Sequence, residues 1–316
     1  MLKAPNRILI STSSFDIEGN ESLRTVALKG FEIVSNPYRR RLTEAEAGEL
    51  LKSGVVGMIA GVEPLTRAVL AEAHDLKVIS RCGIGMDSVD MAAAAERNIW
   101  VRNTPDAPGR AVAELTIGLM LALLRHVSQA DRGIRANRWK QWMGRLLSEQ
   151  TVGLIGYGRI GRRVARFLKA LGSTVLVHDK YPSAAEEGVN FCSLDHLITN
   201  SDLISLHVPY APDTRHLLNG QRLSSMKTGA LVVNTARGGL IDEAALCAVL
   251  TSGHLAGAAL DCFEEEPYKG PLSTLDQVIL TAHMGSYASE ARVLMEREAA
   301  DNLLQGLIEQ GCLPSR

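Results

Sequence analysis

Long apolar runs, paired cysteines and internal repeats are missing from this chain of 316 residues, and its net charge is close to zero. No apolar run is as long as a membrane span, so a membrane protein is not expected. The opening MLKAPNRILIST passes straight into a strand pattern rather than a signal peptide. A net charge of -1 gives no electrostatic reason to expect nucleic acid or an anionic membrane as a partner. The five cysteines, Cys82, Cys192, Cys247, Cys262 and Cys312, show no CxxC spacing. They read as small apolar fillers, no metal site is expected from them, and a reducing cytoplasm is the simplest home. Without repeats or low-complexity segments, what is left is an ordinary globular chain. At 46% hydrophobic residues it can bury a large core, and its length suggests two domains.

What is present is organised around TVGLIGYGRIGRRVARFLKALGSTVLVHD, Thr151 to Asp179. A short apolar run is followed by Gly156, Gly158 and Gly161 in GxGxxG spacing, then by helical spacing at Val164, Phe167, Leu168 and Leu171. A second apolar run ends at Asp179. Gly156 permits a tight strand-to-helix turn, Gly158 lets backbone approach a pyrophosphate, and Gly161 lets helix and strand pack closely. The helix N-terminus offers unfilled N–H groups and the positive end of its dipole to phosphates. A carboxylate after the second strand can accept from both ribose hydroxyls and repels a 2'-phosphate. Asp179 therefore points to NAD over NADP, with Lys180 beside it pulling the other way.

Upstream, short apolar runs at Arg7 to Ser11, Phe31 to Val34, Val55 to Ala60, Leu76 to Ser80 and Ile99 to Arg102 alternate with helical patterns such as Glu44 to Leu51 and Leu65 to Ala73. This predicts a complete five-stranded doubly wound domain before the glycine turn. Ala111 to Val127 is a helix apolar on most sides, suited to a buried place between domains or in a subunit interface. The polar Gln129 to Gln141 segment, with Trp139 and Trp142 nearby, reads either as an arm lying on another surface or as a plain surface loop and helix. Strand signals at Val189 to Cys192, Leu203 to Leu206, Ala230 to Asn234, Gly257 to Leu260 and Val278 to Leu280 complete a second parallel sheet. The last helix, Ser289 to Gln310, follows a full sheet and is expected to pack on the first domain.

In such α/β sheets, functional groups collect at the carboxyl ends of strands. Those ends carry Arg81, Asn103-Thr104-Pro105, His207-Val208-Pro209, Asn234 to Gly238, Asp261 and His283. Arg237 offers a permanent planar cation to a carboxylate and an adjacent carbonyl oxygen. His283 can pass a proton to that oxygen, and Glu266 can orient the imidazole and favour its charged form. Taken singly, Arg237 reads as a surface ion-pair partner, Glu266 as part of the solvated run Glu264-Glu265-Glu266, and His283 as a core histidine. Their joint placement after strands of one dinucleotide domain makes them a candidate set for 2-hydroxy acid chemistry.

The ordered stretches ISRCGIGMDSVD, NTPDAPGRAVAELTIG, GLIGYGRIG, HVPYAPDTRHLLN, VNTARGGLIDEAAL, GAALDCFEEEP and TAHMGS resemble the D-isomer-specific 2-hydroxyacid dehydrogenase family, particularly its phosphoglycerate dehydrogenase branch. The resemblance implies an α/β chain of two doubly wound parallel-sheet domains. One is a flavodoxin-like substrate domain, 1–102 plus 288–316, and the other a Rossmann NAD-binding domain, 103–287. It implies Arg237 as the substrate-binding catalytic cation and Glu266 with His283 as the acid/base pair. Cofactor contacts are implied at Gly156, Gly158, Arg159, Ile160, Gly161, Asp179, His207, Val208, Pro209, Thr214, Thr235, Ala236, Asp261 and Gly285. Substrate contacts are implied at Arg81, Gly83 and Ile84, together with Arg237 and His283. A homodimer acting on a small 2-hydroxy or 2-keto acid is expected.

The chain departs from that branch where many phosphoglycerate dehydrogenases carry an arginine, reading Ile59-Ala60-Gly61-Val62-Glu63-Pro64 instead. Arg81 and the glycine-rich backbone after it, helped by Arg135 or Arg138 of a neighbouring subunit, would then have to serve a phosphate. Pro108 stands where asparagine is common and Ala282 where proline is common. Because the sequence stops at Arg316, the regulatory domain of longer relatives, and serine feedback through it, are not expected. Three readings stand: a short 3-phosphoglycerate dehydrogenase, a hydroxypyruvate or glyoxylate type of 2-keto acid reductase, and an NAD(H)-responsive binding protein without turnover.

Overall fold

The computed structural model describes residues 6–52, 54–181 and 188–314, so part of the opening stretch read above lies outside the described residues. The chain divides into two compact units, Met1–Pro108 with Ala288–Arg316, and Gly109–Tyr287.

The first unit is built on a five-stranded parallel sheet: β1 (Arg7–Ile10), β2 (Glu32–Ser35), β3 (Val55–Ala60), β4 (Val78–Arg81) and β5 (Trp100–Asn103), in the order β2-β1-β3-β4-β5. This is the flavodoxin-like doubly wound order. Alternate residues of each strand serve opposite faces. Leu9, Met58 and Ile79 join Leu51, Val69 and Leu70 on one face. Ile8, Ile10, Ile59 and Val78 meet Val26, Ala299, Leu303 and Leu307 on the other. The helix Glu44–Leu51 on the first face opens with a capping box, in which Thr43 and Glu46 satisfy each other's backbone N–H groups. The second face is covered largely by the closing helix Ser289–Glu309. That helix sits close because Gly306 lies against Trp100 and Val78, where a Cβ would come within 2.6 and 2.7 Å of their side chains. Ser80 Oγ also donates to the Ala299 carbonyl at 2.6 Å.

Many element boundaries shift by one or two residues from the sequence reading, and two of the differences have a plain physical reason. Leu76 is buried but belongs to the turn before β4, so the strand starts at Val78 and runs on to Arg81. The apolar central helix spans Ala107–Leu124, starting earlier than Ala111 because a proline is tolerated in a first turn. It ends before His126, whose φ of +53° introduces a separate helix, Val127–Arg135. Residues beyond Arg135 form an irregular segment with Trp139 and Met143 exposed. Ala107–Leu124 is the one helix among the described residues long and apolar enough to cross a membrane. More than half of it is buried within the fold.

The second unit holds seven parallel strands: β6 (Thr151–Ile155), β7 (Thr174–His178), β8 (Asn190–Phe191), β9 (Leu203–Leu206), β10 (Leu231–Asn234), β11 (Gly257–Leu260) and β12 (Val278–Leu280). Their order is β12-β11-β10-β9-β6-β7-β8. Strand order reverses between β6 and β9, the Rossmann arrangement, whose ligand crevice lies at that reversal. Both faces are covered by helices. Met120, Leu123, Val164 and Leu168 pack on one, and Leu197, Leu223, Leu246 and Leu250 on the other.

Candidate active site

Register alone assembles the site. His178 pairs with Ile155, Ile155 with Leu206, Leu206 with Asn234, Asn234 with Leu260 and Leu260 with Leu280. These last residues of six strands form one row, so Asp179, Gly156, His207, Thr235, Asp261 and Thr281 all leave the sheet along the same edge.

At the strand reversal Gly156 has φ +102°, and a Cβ there would come within 2.5 Å of the His207 carbonyl oxygen. At Gly161 a Cβ would overlap the Gly156 carbonyl oxygen, whereas at Gly158 it would meet only open space. Two glycines are thus required by packing, and the third leaves room before the helix Arg159–Ala170. Arg159 is exposed and Ile160 half-buried at the start of that helix. The Asp179 carboxylate accepts from Tyr157 N at 2.6 Å and Tyr181 N at 2.7 Å, which fixes it beside the glycine turn. Lys180 pairs with Asp213 at 2.8 Å. A bare backbone cradle, a helix N-terminus and a fixed carboxylate suit the pyrophosphate and ribose of a dinucleotide.

Beyond β9, Thr214 Oγ1 donates to the Pro209 carbonyl at 2.8 Å and accepts from Ala211 N, closing the loop that starts His207-Val208-Pro209. The His207 imidazole lies 3.0 Å from the buried Ser205 hydroxyl, and burial pushes it down to about 4. A folded value below the unfolded one means that folding favours the neutral ring. Its contribution is complete above about pH 6.5 and is lost as pH falls towards 4, for a total of about 3 kcal/mol. Melting temperature is therefore expected to fall between pH 6.5 and 4.5, and His207→Gln to lessen the slope. An unchanged slope in the variant would clear His207 of this role.

The turn after β10 is tied by Asn234, 1% exposed, whose amide donates to the Arg237 carbonyl at 2.8 Å and accepts from Ala236 N at 3.0 Å. Thr116 gives its hydroxyl proton to the Val112 carbonyl, so Thr235 is the donor in the 2.8 Å bond between the two threonines. Gly238 is pressed onto the backbone of Phe263 and Glu264, where any Cβ would overlap. Arg237 is half-buried, with Nη1 donating to the Ala236 carbonyl at 2.7 Å.

From β11 the fully buried Asp261 reaches the loop after β12. Its Oδ1 accepts from Thr281 Oγ1 and Met284 N, and its Oδ2 from Gly285 N at 2.8 Å. That loop holds His283 at φ +49°, a conformation few non-glycine residues adopt. His283 Nδ1 lies 3.0 Å from both Glu266 oxygens. Glu266 Oε1 also accepts from Phe263 N at 3.2 Å, anchoring the carboxylate to its own turn. Cys262 Sγ donates to the Ala236 carbonyl at 3.4 Å, which links the turn carrying Arg237 to the one carrying Glu266.

In the first unit, Arg81 ends β4 and is 6% exposed, with Nη1 donating to the Cys82 carbonyl. Its guanidinium lies over Gly83, where a Cβ would overlap it, and Gly83 N donates to Thr104 Oγ1 at 2.8 Å. Asn103 Nδ2 donates to the Ile84 carbonyl at 2.7 Å, holding the next residue of the same loop. Glu63, 2% exposed, accepts from Ser11 Oγ and from Gly61 N at 3.1 Å.

The sequence reading took Cys262 for a small apolar filler and did not find the 2.8 Å pair between His216 and Glu264. Cys262 had a signal, since it directly follows the strand-end Asp261 and precedes Glu266 by four residues. His216 had none, because its partner comes from a distant turn.

Comparison with known proteins agrees with this geometry. The model for the D-isomer specific 2-hydroxyacid dehydrogenase, NAD binding domain, matches residues 117–285. The D-3-phosphoglycerate dehydrogenase of Methanocaldococcus jannaschii is 43% identical over 258 residues, 79% of this chain and 49% of that protein. This chain thus spans about half the length of that relative. The hydroxypyruvate reductase of Thermotoga maritima is 37% identical, with 84% of this chain and 89% of that protein aligned. Among solved structures, D-lactate dehydrogenase from Aquifex aeolicus, complexed with NAD and lactic acid, superposes with a TM-score of 0.82. It is 29% identical over 96% of this chain and 97% of that one. With its seven-stranded Rossmann unit, its glycine turn and this similarity, the chain belongs to the D-isomer specific 2-hydroxyacid dehydrogenase family.

Proposed function

We propose that the chain interconverts a D-2-hydroxy acid and its 2-keto acid with NAD, using Arg237, Glu266 and His283. The observation that carries this reading is the 3.0 Å contact of His283 Nδ1 with both Glu266 oxygens, on turns in register with the glycine turn. An Nδ1–H held by a carboxylate fixes the tautomer, so Nε2 is the atom that exchanges a proton with substrate. In the oxidation direction His283 Nε2 takes the hydroxyl proton, and Glu266 stabilises the resulting imidazolium. NAD, when bound, supplies the hydride acceptor. Arg237 holds the substrate carboxylate and stabilises negative charge at the C2 oxygen. Asp261 acts by fixing the His283 loop, and Asp179 by receiving the adenosine ribose.

Similarity makes 3-phosphoglycerate and 3-phosphohydroxypyruvate the first substrate pair to test. A second reading, an unphosphorylated keto acid such as hydroxypyruvate or glyoxylate, is supported by Glu63 and Arg81. The stretch after β3 buries a carboxylate instead of offering a cation, and the Arg81 guanidinium is taken up by its own loop. NADH oxidation at matched concentrations of the three keto acids decides between them. A tenfold lead in kcat/KM for the phosphorylated acid, about 1.4 kcal/mol, requires a phosphate site, and its absence selects the second reading. NADH is expected to outperform NADPH, because Asp179 repels a 2'-phosphate and Lys180 is paired with Asp213. Nucleotide binding without turnover of any keto acid would overturn both readings.

The same proposal takes the protein as a cytoplasmic homodimer. The dimer is supported by Val127, Ile134, Trp139 and Met143, which are all more than half exposed in and just after one helix. Light scattering is expected to give twice the chain mass, and a monomer at assay concentration would count against it.

A further inference from the structure

The second unit places three different metal-ligating groups together. Cys262, Glu266 and His283 each offer one atom, and these sulfur, oxygen and nitrogen atoms all lie within 4.8 Å of one another. Cys262 and Glu266 leave β11 on a single turn, and His283 comes from the next strand on the loop that Asp261 anchors. Around tetrahedral Zn²⁺, with bonds of roughly 2.0–2.3 Å, ligand atoms stand about 3.3–3.8 Å apart. Closing from 4.8 Å to that spacing needs a shift of about 1 Å shared among three side chains.

We propose that Cys262, Glu266 and His283 form a binding site for a borderline-soft divalent cation, Zn²⁺ in particular, and that filling it reversibly switches off the acid/base pair. The donor set selects the metal. A thiolate and an imidazole suit Zn²⁺, whereas Mg²⁺ demands octahedral oxygen ligands. Thiolate and carboxylate together neutralise the double positive charge. Binding releases the Cys262 thiol proton to solvent, moves the His283 ring proton from Nδ1 to Nε2 so that Nδ1 can ligate the cation, and leaves the fourth position to water. The cation replaces the Glu266–His283 hydrogen bond, so the ring can no longer accept and return a proton. The metal takes no part in hydride transfer, and its binding is measurable whether or not the proposed reaction occurs.

The test uses metal-free protein and two readouts. Titration with Co²⁺ is expected to produce a thiolate-to-cobalt charge-transfer band in the near ultraviolet, displaced by Zn²⁺. The band should vanish in Cys262→Val and survive in Cys247→Ser. In the NADH assay, a Zn²⁺ concentration that slows the parent enzyme tenfold should leave Cys262→Val within twofold of its own zinc-free rate. Equal Mg²⁺ should do nothing, and a chelator should restore the parent rate. If valine prevents folding, Cys262→Ser keeps the volume and weakens the soft ligand, with the same expected loss of band. No band in the parent, a band that persists without Cys262, or equal zinc inhibition of parent and variant would each overturn the proposal. Should every keto acid fail as substrate, the cobalt band alone still decides it.

Discussion

Replacing His283 by alanine is expected to lower kcat by roughly 10²- to 10⁴-fold, about 3–5 kcal/mol of transition-state stabilisation, with KM for the keto acid changed only a few-fold. The imidazole exchanges a proton while C2 changes oxidation state, so its contribution is realised in the transition state and not in ground-state binding. The loop survives the substitution because Asp261 grips the backbone N–H groups of Met284 and Gly285, not the ring. Since position 283 sits at φ +49°, His283→Asn is the gentler companion, asparagine being more tolerant of that backbone than alanine. Near-normal turnover in both variants would remove His283 from the mechanism. Glu266→Gln keeps an acceptor for Nδ1 but loses the charge, so it is expected to lower kcat less than His283→Ala.

Arg237→Ala is expected to damage both kinetic parameters. Losing a charge-assisted partner of the substrate carboxylate removes about 1.5–3 kcal/mol of binding and raises KM. Losing the cation beside the C2 oxygen takes a further 10²- to 10³-fold or so from kcat. Together kcat/KM falls by roughly 10³-fold or more. Arg237→Lys restores the charge without the planar fork and should recover only part of the loss. The turn is insulated from both changes, because Asn234 holds it through the backbone of Ala236 and Arg237. A variant with depressed kcat and unaltered KM would show that the guanidinium does not hold the carboxylate.

The two doubly wound sheets were legible because parallel strands buried on both faces appear as continuous apolar runs between helical patterns. The strand-end residues were legible for the same reason. Once β10 and β11 are located, Arg237 and Asp261 follow by counting. Exact strand bounds were not, since Leu76 is buried in a turn and periodicity reports burial, not hydrogen bonding. Nor was the start of the helix Ala107–Leu124, where Pro108 reads as a breaker yet sits in the tolerant first turn. Cys262 shows a different limit. Small, apolar and buried describes it correctly, but its neighbours are set by the turns after β11 and β12 meeting, and sequence spacing carries no record of that meeting. Arg81 was legible as a strand-end cation, while the folding of its guanidinium over Gly83 was not.

The closing helix also sets an order of events during synthesis. Residues 1–108 are translated before the Rossmann unit, but Ile8, Ile10, Ile59 and Val78 wait for Ala299, Leu303 and Leu307, which are translated after it. All of the Rossmann unit is translated in the interval and forms a compact unit by itself, so it can reach its native state while the earlier sheet still has one apolar face only partly covered. The split unit is therefore completed only after the Rossmann unit, and for that interval its apolar face is a place for a chaperone to act.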